Sequence, residues 1–160
     1  MKKSIIISIV LIIVLLVVLN RKKKGDSIAL GEIIKPVGNG IFGPIYDQFK
    51  DKPKEAVEWL MEIKNGECPC ALYHIQIGYI DLVWGFEGTG KSDGFGLSKI
   101  VKYHPEVVDK LQEILDETRI LKSNDRGIKL QSKKYHVGIR LTWNETKKTW
   151  LMTMFEKDTV

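Results

Sequence analysis

Three side chains of this chain titrate near neutral pH without help: His74, His104 and His136. Proton-transfer groups and a cation can cleave an RNA phosphodiester without a metal. A base takes the proton of the 2′-hydroxyl and an acid protonates the leaving 5′-oxygen. A cation or several donors hold the extra charge on the phosphate. Arg140, Lys99 and Lys91 can supply the cation, and Thr142, Thr153 and Ser92 are small donors. His104 immediately precedes Pro105, a helix-cap position where Ser, Thr, Asp or Asn would stabilise more. A helix dipole there favours a neutral base; the alternative is a surface loop histidine. His74 precedes a strand and reads equally as a turn residue, while His136 belongs at a sheet rim.

A second chemistry is written in Ile80–Ser98, IDLVWGFEGTGKSDGFGLS. Its GFEGTGKS segment satisfies G-x-x-x-x-G-K-[ST], the phosphate-cradling loop of NTPases, and follows an apolar strand. That loop requires a helix starting at its Lys-Ser. Here Ser92 is followed by Asp93, Gly94, Phe95 and Gly96, and each glycine costs about 1 kcal/mol of helix stability relative to alanine. No later apolar strand ends in a magnesium-binding Asp. The loop therefore reads as a contact for an RNA backbone through Lys91 and Ser92, or as a plain turn. A magnesium-dependent NTPase is the minor alternative.

The elements that must position these groups read as α+β: N-terminal helices packed on an antiparallel sheet of about four strands. Pro53 opens a helix whose apolar face is Ala56, Val57, Leu60, Met61 and Ile63, and Asn65-Gly66 ends it. Ile75–Trp84 is a strand, Leu97–Tyr103 one or two helical turns, and Pro105 starts a helix ending at Asp116–Thr118. Four β-prone runs follow, RILKS, GIKLQS, YHVGIRLTW and TWLMTMFE, joined by turns too short for parallel neighbours. Alternation in YHVGIRLTW puts Tyr135, Val137, Ile139, Leu141 and Trp143 on one face. His136, Gly138, Arg140 and Thr142 take the other, with a guanidinium suited to clamping a phosphate. An Arg paired with an acid on a neighbouring strand is the alternative.

The formal charge of +5 over 160 residues is uneven. Residues 1–24 hold six basic side chains and no acid, leaving 19 basic and 20 acidic in the rest. Residues 119–148 hold nine basic against two acidic, and 105–117 one basic against five acidic. The basic segment reads as the footprint of a polyanion or as a solvated face offset by its acidic neighbour. Cys68 and Cys70 in CPC stand too close for an ordinary disulfide and read as free thiols. Ile5–Leu19 is apolar except for Ser8, and RKKK follows it. That pattern is expected to form an uncleaved single-pass helix in the bacterial inner membrane, with a cytoplasmic domain. The expected organisation is an anchor over 1–24, a glycine-rich linker over 25–43 and a nuclease-like domain over 44–160.

The segments IFGPIYDQFK, KEAVEWLM, GYIDLVWGFEGTGKSDGFGLSKIVKYHPEVVDKLQEILDE and IRLTW…TWLMTMFEK carry a resemblance. They are similar to the phage-associated barnase–EndoU–colicin–RelE-like nuclease domains, from about Phe42 to Lys157. The resemblance implies helices on an antiparallel sheet and metal-independent RNA cleavage without a cofactor. It also implies a toxin or phage-derived effector, an RNA substrate such as tRNA, and an immunity or inhibitor protein. Its polar positions fall on His74, Asp81, Lys99, His104, Arg140, Thr142 and Thr153. The chain departs from the family pattern at CPC and at Tyr79, where an acidic residue is common. The expected catalytic set is His104 for proton transfer, Arg140 as clamp, and Lys99, Thr142 and His74 in support. Lys91, Ser92, Asp81, Thr153 and His136 are expected to bind substrate. A non-catalytic RNA- or protein-binding module of the same fold is the alternative.

Overall fold

The computed structural model describes residues 34–90 and 92–158. Helix α1 spans Pro53–Ile63, with proline in its first turn and Lys64 closing it in the left-handed region at φ 52°. Its Ala56, Val57 and Leu60 are buried, and full burial of a leucine contributes about 1.5–3 kcal/mol. Helix α2 is Gly96–Tyr103 and α3 is Leu111–Glu117, joined by a 3-10 segment over Pro105–Lys110. His104 thus ends α2 and precedes a 3-10 turn, and the helix expected to start at Pro105 has its α-helical part only from Leu111.

The strands are β1 Gly38–Gly40, β2 Gly43–Ile45, β3 Glu67–His74, β4 Gly78–Val83, β5 Arg119–Asn124, β6 Gly127–Gln131, β7 Tyr135–Trp143 and β8 Thr146–Glu156. They form one sheet in the order β1-β2-β3-β4-β8-β7-β6-β5. The expectation of an antiparallel sheet of about four strands under N-terminal helices is therefore overturned. The sheet is mixed and eight-stranded, its helices number three among the described residues, and the fold is mostly sheet. The four C-terminal strands do run antiparallel, as their short turns require. What local pattern could not show is β4 beside β8, parallel, with Asp81 opposite Trp150. Nor could it show β2 beside β3, parallel, with Ile45 opposite Glu67. Strand β3 was hidden by its own chemistry. Pro69 cannot donate to a ladder, and a bulge between Cys68 and Leu72 holds Cys70 at φ 55° and breaks the alternation.

The unit beginning at Pro36 is compact and contains the core. Leu72, Ile80, Leu82, Leu115, Ile139 and Leu151 are fully enclosed there. Phe42 and Phe95 pack on Trp143 and Trp150 with ring centroids 4.9–5.6 Å apart, and Trp150 is a core residue. Among the described residues no helix is long and apolar enough to cross a membrane. The apolar run Ile5–Leu19 lies outside them.

Candidate active site

Strand pairing assembles the site. Residues opposite one another on neighbouring strands share a face, so Gln131, His136 and Phe155 form one row and Lys129, Gly138 and Thr153 the next. Strand β5 adds Arg119 opposite Gln131 and Lys122 opposite Lys129. Arg140 follows on the same face, four residues or about 13–14 Å along β7 from His136. Gly138 keeps the middle of this strip low. A Cβ there would stand 3.0 Å from Thr153 Cγ2 and 3.2 Å from the Met152 methyl.

His104 joins from α2. Its ring centroid lies 5.3 Å from that of Phe155, and His136 lies 5.3 Å from the same ring. Two imidazoles therefore flank one phenyl ring, brought together from a helix end and a strand 32 residues apart in sequence. Their surroundings differ. Burial, then the charges of Lys157 and Lys129, push the His136 pKa below the ordinary histidine value. His104 Nδ1 is 3.8 Å from Glu106 Oε1, an ion pair whenever the imidazole is protonated. One ring is thus biased toward a neutral acceptor, and the other has a carboxylate beside it. That difference is what an acid–base pair needs.

The cationic part is open. Arg140 is exposed; its Nε contacts Met152 Sδ at 3.2 Å. Among the described residues neither Arg140, Lys122 nor Lys129 has a carboxylate within ion-pair distance. An Arg paired across strands is thus excluded, and the guanidinium remains available to a phosphate. Lys99 on α2 is only 7% exposed, and burial lowers its pKa against the opposing charge of Asp93.

Other expected residues fall elsewhere. His74 is buried; its Nδ1 accepts from Gln76 N–H at 3.2 Å and its Nε2 faces Thr118 O at 3.1 Å. With Nδ1 accepting, Nε2 must donate, so His74 is a neutral pin between β3 and the end of α3. Asp81 accepts from Lys148 Nζ at 2.6 Å and from Cys70 N–H at 2.9 Å. Lys148 also reaches Glu67 at 3.1 Å, making a half-buried triad. Desolvation opposes the Lys148 ammonium, but the two carboxylates outweigh it and raise its pKa. Thr142 stands opposite Lys147 near the β7–β8 turn, six residues or about 20 Å from His136. Thr153 is in the strip.

The glycine loop is an internal device. Phe86 and Phe95 exchange backbone hydrogen bonds of 3.0 and 2.7 Å across its neck. Inside, the Asp93 carboxylate accepts from Thr89 N–H, Thr89 Oγ1–H and Gly90 N–H at 2.6–3.1 Å. These bonds hold its pKa far below the usual carboxylate range. Amides that an NTPase would aim at phosphate are thus taken by the loop's own anion, and α2 starts at Gly96, beyond Ser92. The nucleotide-loop alternative is overturned on both counts. Ser92 lies in this loop's turn and is exposed; Lys91 lies outside the described residues.

Residues 71–160 match the family model described as phage-Barnase-EndoU-ColicinE5/D-RelE like nuclease1. The chain belongs to this nuclease family. No curated protein and no solved structure matches it. The matched part of the nuclease begins at Ala71, so β1, β2 and α1 precede it. It contains both imidazoles, Phe155, Arg140 and the glycine loop. Phe155, Glu106, Lys129 and Gln131 escaped the sequence reading. Alternation along TWLMTMFE could have placed Phe155 on a face, but only the register opposite His136 makes it part of the site.

Proposed function

We propose that this member of the nuclease family is a metal-independent endoribonuclease acting through His136 and His104. The observation that carries the reading is the pair of imidazoles flanking Phe155, on a sheet face with unpaired cations. His136, biased toward its neutral form, takes the proton of the 2′-hydroxyl. The 2′-oxygen attacks phosphorus and the P–O5′ bond breaks. His104 in its protonated form, with Glu106 Oε1 3.8 Å from its Nδ1, delivers its proton to the departing 5′-oxygen. The products are a 2′,3′-cyclic phosphate and a free 5′-hydroxyl, so protons and bonds balance with no other reactant. Arg140 holds the non-bridging oxygens, and Lys129 and Lys122 accompany the neighbouring backbone.

The same proposal gives the domain a toxin-like effector role and places the chain at the bacterial inner membrane through residues 1–24, on the strength of their sequence. The test is incubation of the protein with tRNA and total RNA in EDTA, beside His104→Ala and His136→Ala. Fragments ending in cyclic phosphate, made by the native protein alone, support the reading. Salt-sensitive RNA binding without products would replace it by the binding-module alternative.

A further inference from the structure

The proposed cleavage fixes a direction across the sheet. In a displacement at phosphorus the attacking and leaving oxygens lie roughly in line, on opposite sides. His104 attends the leaving 5′-oxygen from the α2 side of Phe155, and His136 attends the 2′-hydroxyl from the β7 side. The ribose that carries this hydroxyl therefore lies on the side of His136 away from His104, which is the side of β6. The β6 residue opposite His136 is Gln131. Side chains facing each other in this way have Cβ atoms about 4.5–5.5 Å apart. A base is bonded to the sugar carbon next to the one bearing the 2′-hydroxyl. The base of the attacking nucleotide is thus within reach of the Gln131 amide.

Gln131 is equipped for that contact. It is half-buried, and among the described residues neither its amide oxygen nor its amide nitrogen has a hydrogen-bond partner. Its neighbour in the row is committed. Arg119, opposite it on β5, donates through Nη1 to Asp116 O at 3.0 Å and to Thr118 O at 2.7 Å. The chain beside it is held as well. Ser132 Oγ donates to Glu117 Oε1 at 2.7 Å, and Lys157 Nζ donates to Ser132 O at 2.6 Å. An uncommitted amide on a fixed strand offers a donor and an acceptor side by side. Proteins read single-stranded RNA bases through such groups, on the Watson–Crick and Hoogsteen edges. Adenine presents a donor beside an acceptor on both edges, its N6 amine standing between N1 and N7. The other three bases do so on the Watson–Crick edge alone.

We propose that Gln131 selects adenine as the base on the 5′ side of the cleaved bond, its amide pairing with the adenine amine and an adjacent ring nitrogen. The inference rests on the roles proposed above for His136 and His104. It adds the direction of the substrate: the 5′ nucleotide lies over β6 and β5, the 3′ nucleotide toward α2. The test uses the full chain and four 2′-O-methyl RNA oligonucleotides that differ only in one central ribonucleotide, adenosine, guanosine, cytidine or uridine. The single free 2′-hydroxyl confines cleavage to the bond that follows it, so kcat/KM in EDTA reports the base on the 5′ side. The native protein is expected to favour adenosine by roughly five- to 150-fold, the range a two-point amide–base pair supplies. Gln131→Met keeps the side-chain length and removes the amide, and should bring the four rates within about threefold of one another. Gln131→Glu replaces the donor by an acceptor and should turn the preference to cytidine. Equal rates on all four with the native protein overturn the proposal. So does a preference for another base, or an adenosine preference that Gln131→Met retains. Should none of the four be cleaved, the nuclease reading falls, and anisotropy with the same oligonucleotides decides on Gln131 separately. Tighter binding of the adenosine oligonucleotide, abolished by Gln131→Met, upholds the amide contact, and equal affinity for all four overturns it.

Discussion

His136→Ala removes the ring that faces Phe155 from the strand side while leaving His104 on the other. A positioned general base contributes roughly 10²–10⁴ in rate, which at about 1.36 kcal/mol per tenfold is about 2.7–5.4 kcal/mol of transition-state stabilisation. His104→Ala should cost a similar amount. Because both act in one transfer, the double variant should lose little beyond the worse single variant, as coupled catalytic groups do. The assay is kcat/KM on a fluorescent RNA oligonucleotide in EDTA, with folding checked by circular dichroism. The pH profile gives the sign. Burial, Lys157 and Lys129 lower the His136 pKa, so the base stays neutral below the ordinary value of about 6.5. The acid limb of kcat/KM should therefore lie below that value. Lys157→Ala removes a positive charge, should let the pKa rise, and should move the limb to higher pH. For stability the direction is the same: a depressed folded pKa contributes stability above about pH 6.5 that fades as pH falls through the folded value. Cleavage by His136→Ala within threefold of native would refute the assignment, as would an acid limb unmoved by Lys157→Ala.

Arg140→Ala should lower kcat roughly a hundredfold and reduce the slope of log affinity against log salt by about one, measured by cleavage and by anisotropy with a 2′-deoxy-blocked oligonucleotide. Lys148→Met leaves Glu67 and Asp81 without their shared cation. It should cost about 3–5 kcal/mol, read as a fall in Tm of roughly 10–20 °C for a domain of this size. Lowering the pH enough to protonate the two carboxylates should narrow that gap. His74→Ala should destabilise by roughly 1–3 kcal/mol, since it strands the Gln76 N–H and removes one of the two donors to the Thr118 carbonyl, the other being Arg119 Nη1–H. Its kcat per folded molecule should stay within twofold of native, separating it from His104 and His136.

The sequence by itself determined the local elements whose causes are local. Pro53 and the apolar spacing behind it made α1 readable almost to the residue. Short polar turns made the β5–β8 meander readable, and period-two alternation put His136, Gly138 and Arg140 on one face of β7. The long motifs around the glycine loop identified the nuclease family without any coordinates. Tertiary structure alone decided what depends on register and on contacts between distant segments. Parallel placement of β4 beside β8 pairs Asp81 with Trp150, 69 residues on, and leaves no trace in turn length. Whether a histidine is a catalyst or a pin depends on its neighbours. His74 and His136 look alike in sequence. One has both nitrogens occupied in the core, and the other faces a half-open strip of unpaired cations. The glycine loop is the sharpest case. Its string permits a phosphate cradle, but the fold turns Asp93 inward, and the amides that would hold a phosphate hold a carboxylate instead. Composition and spacing set which groups are present; only the closed chain sets which of them are already satisfied.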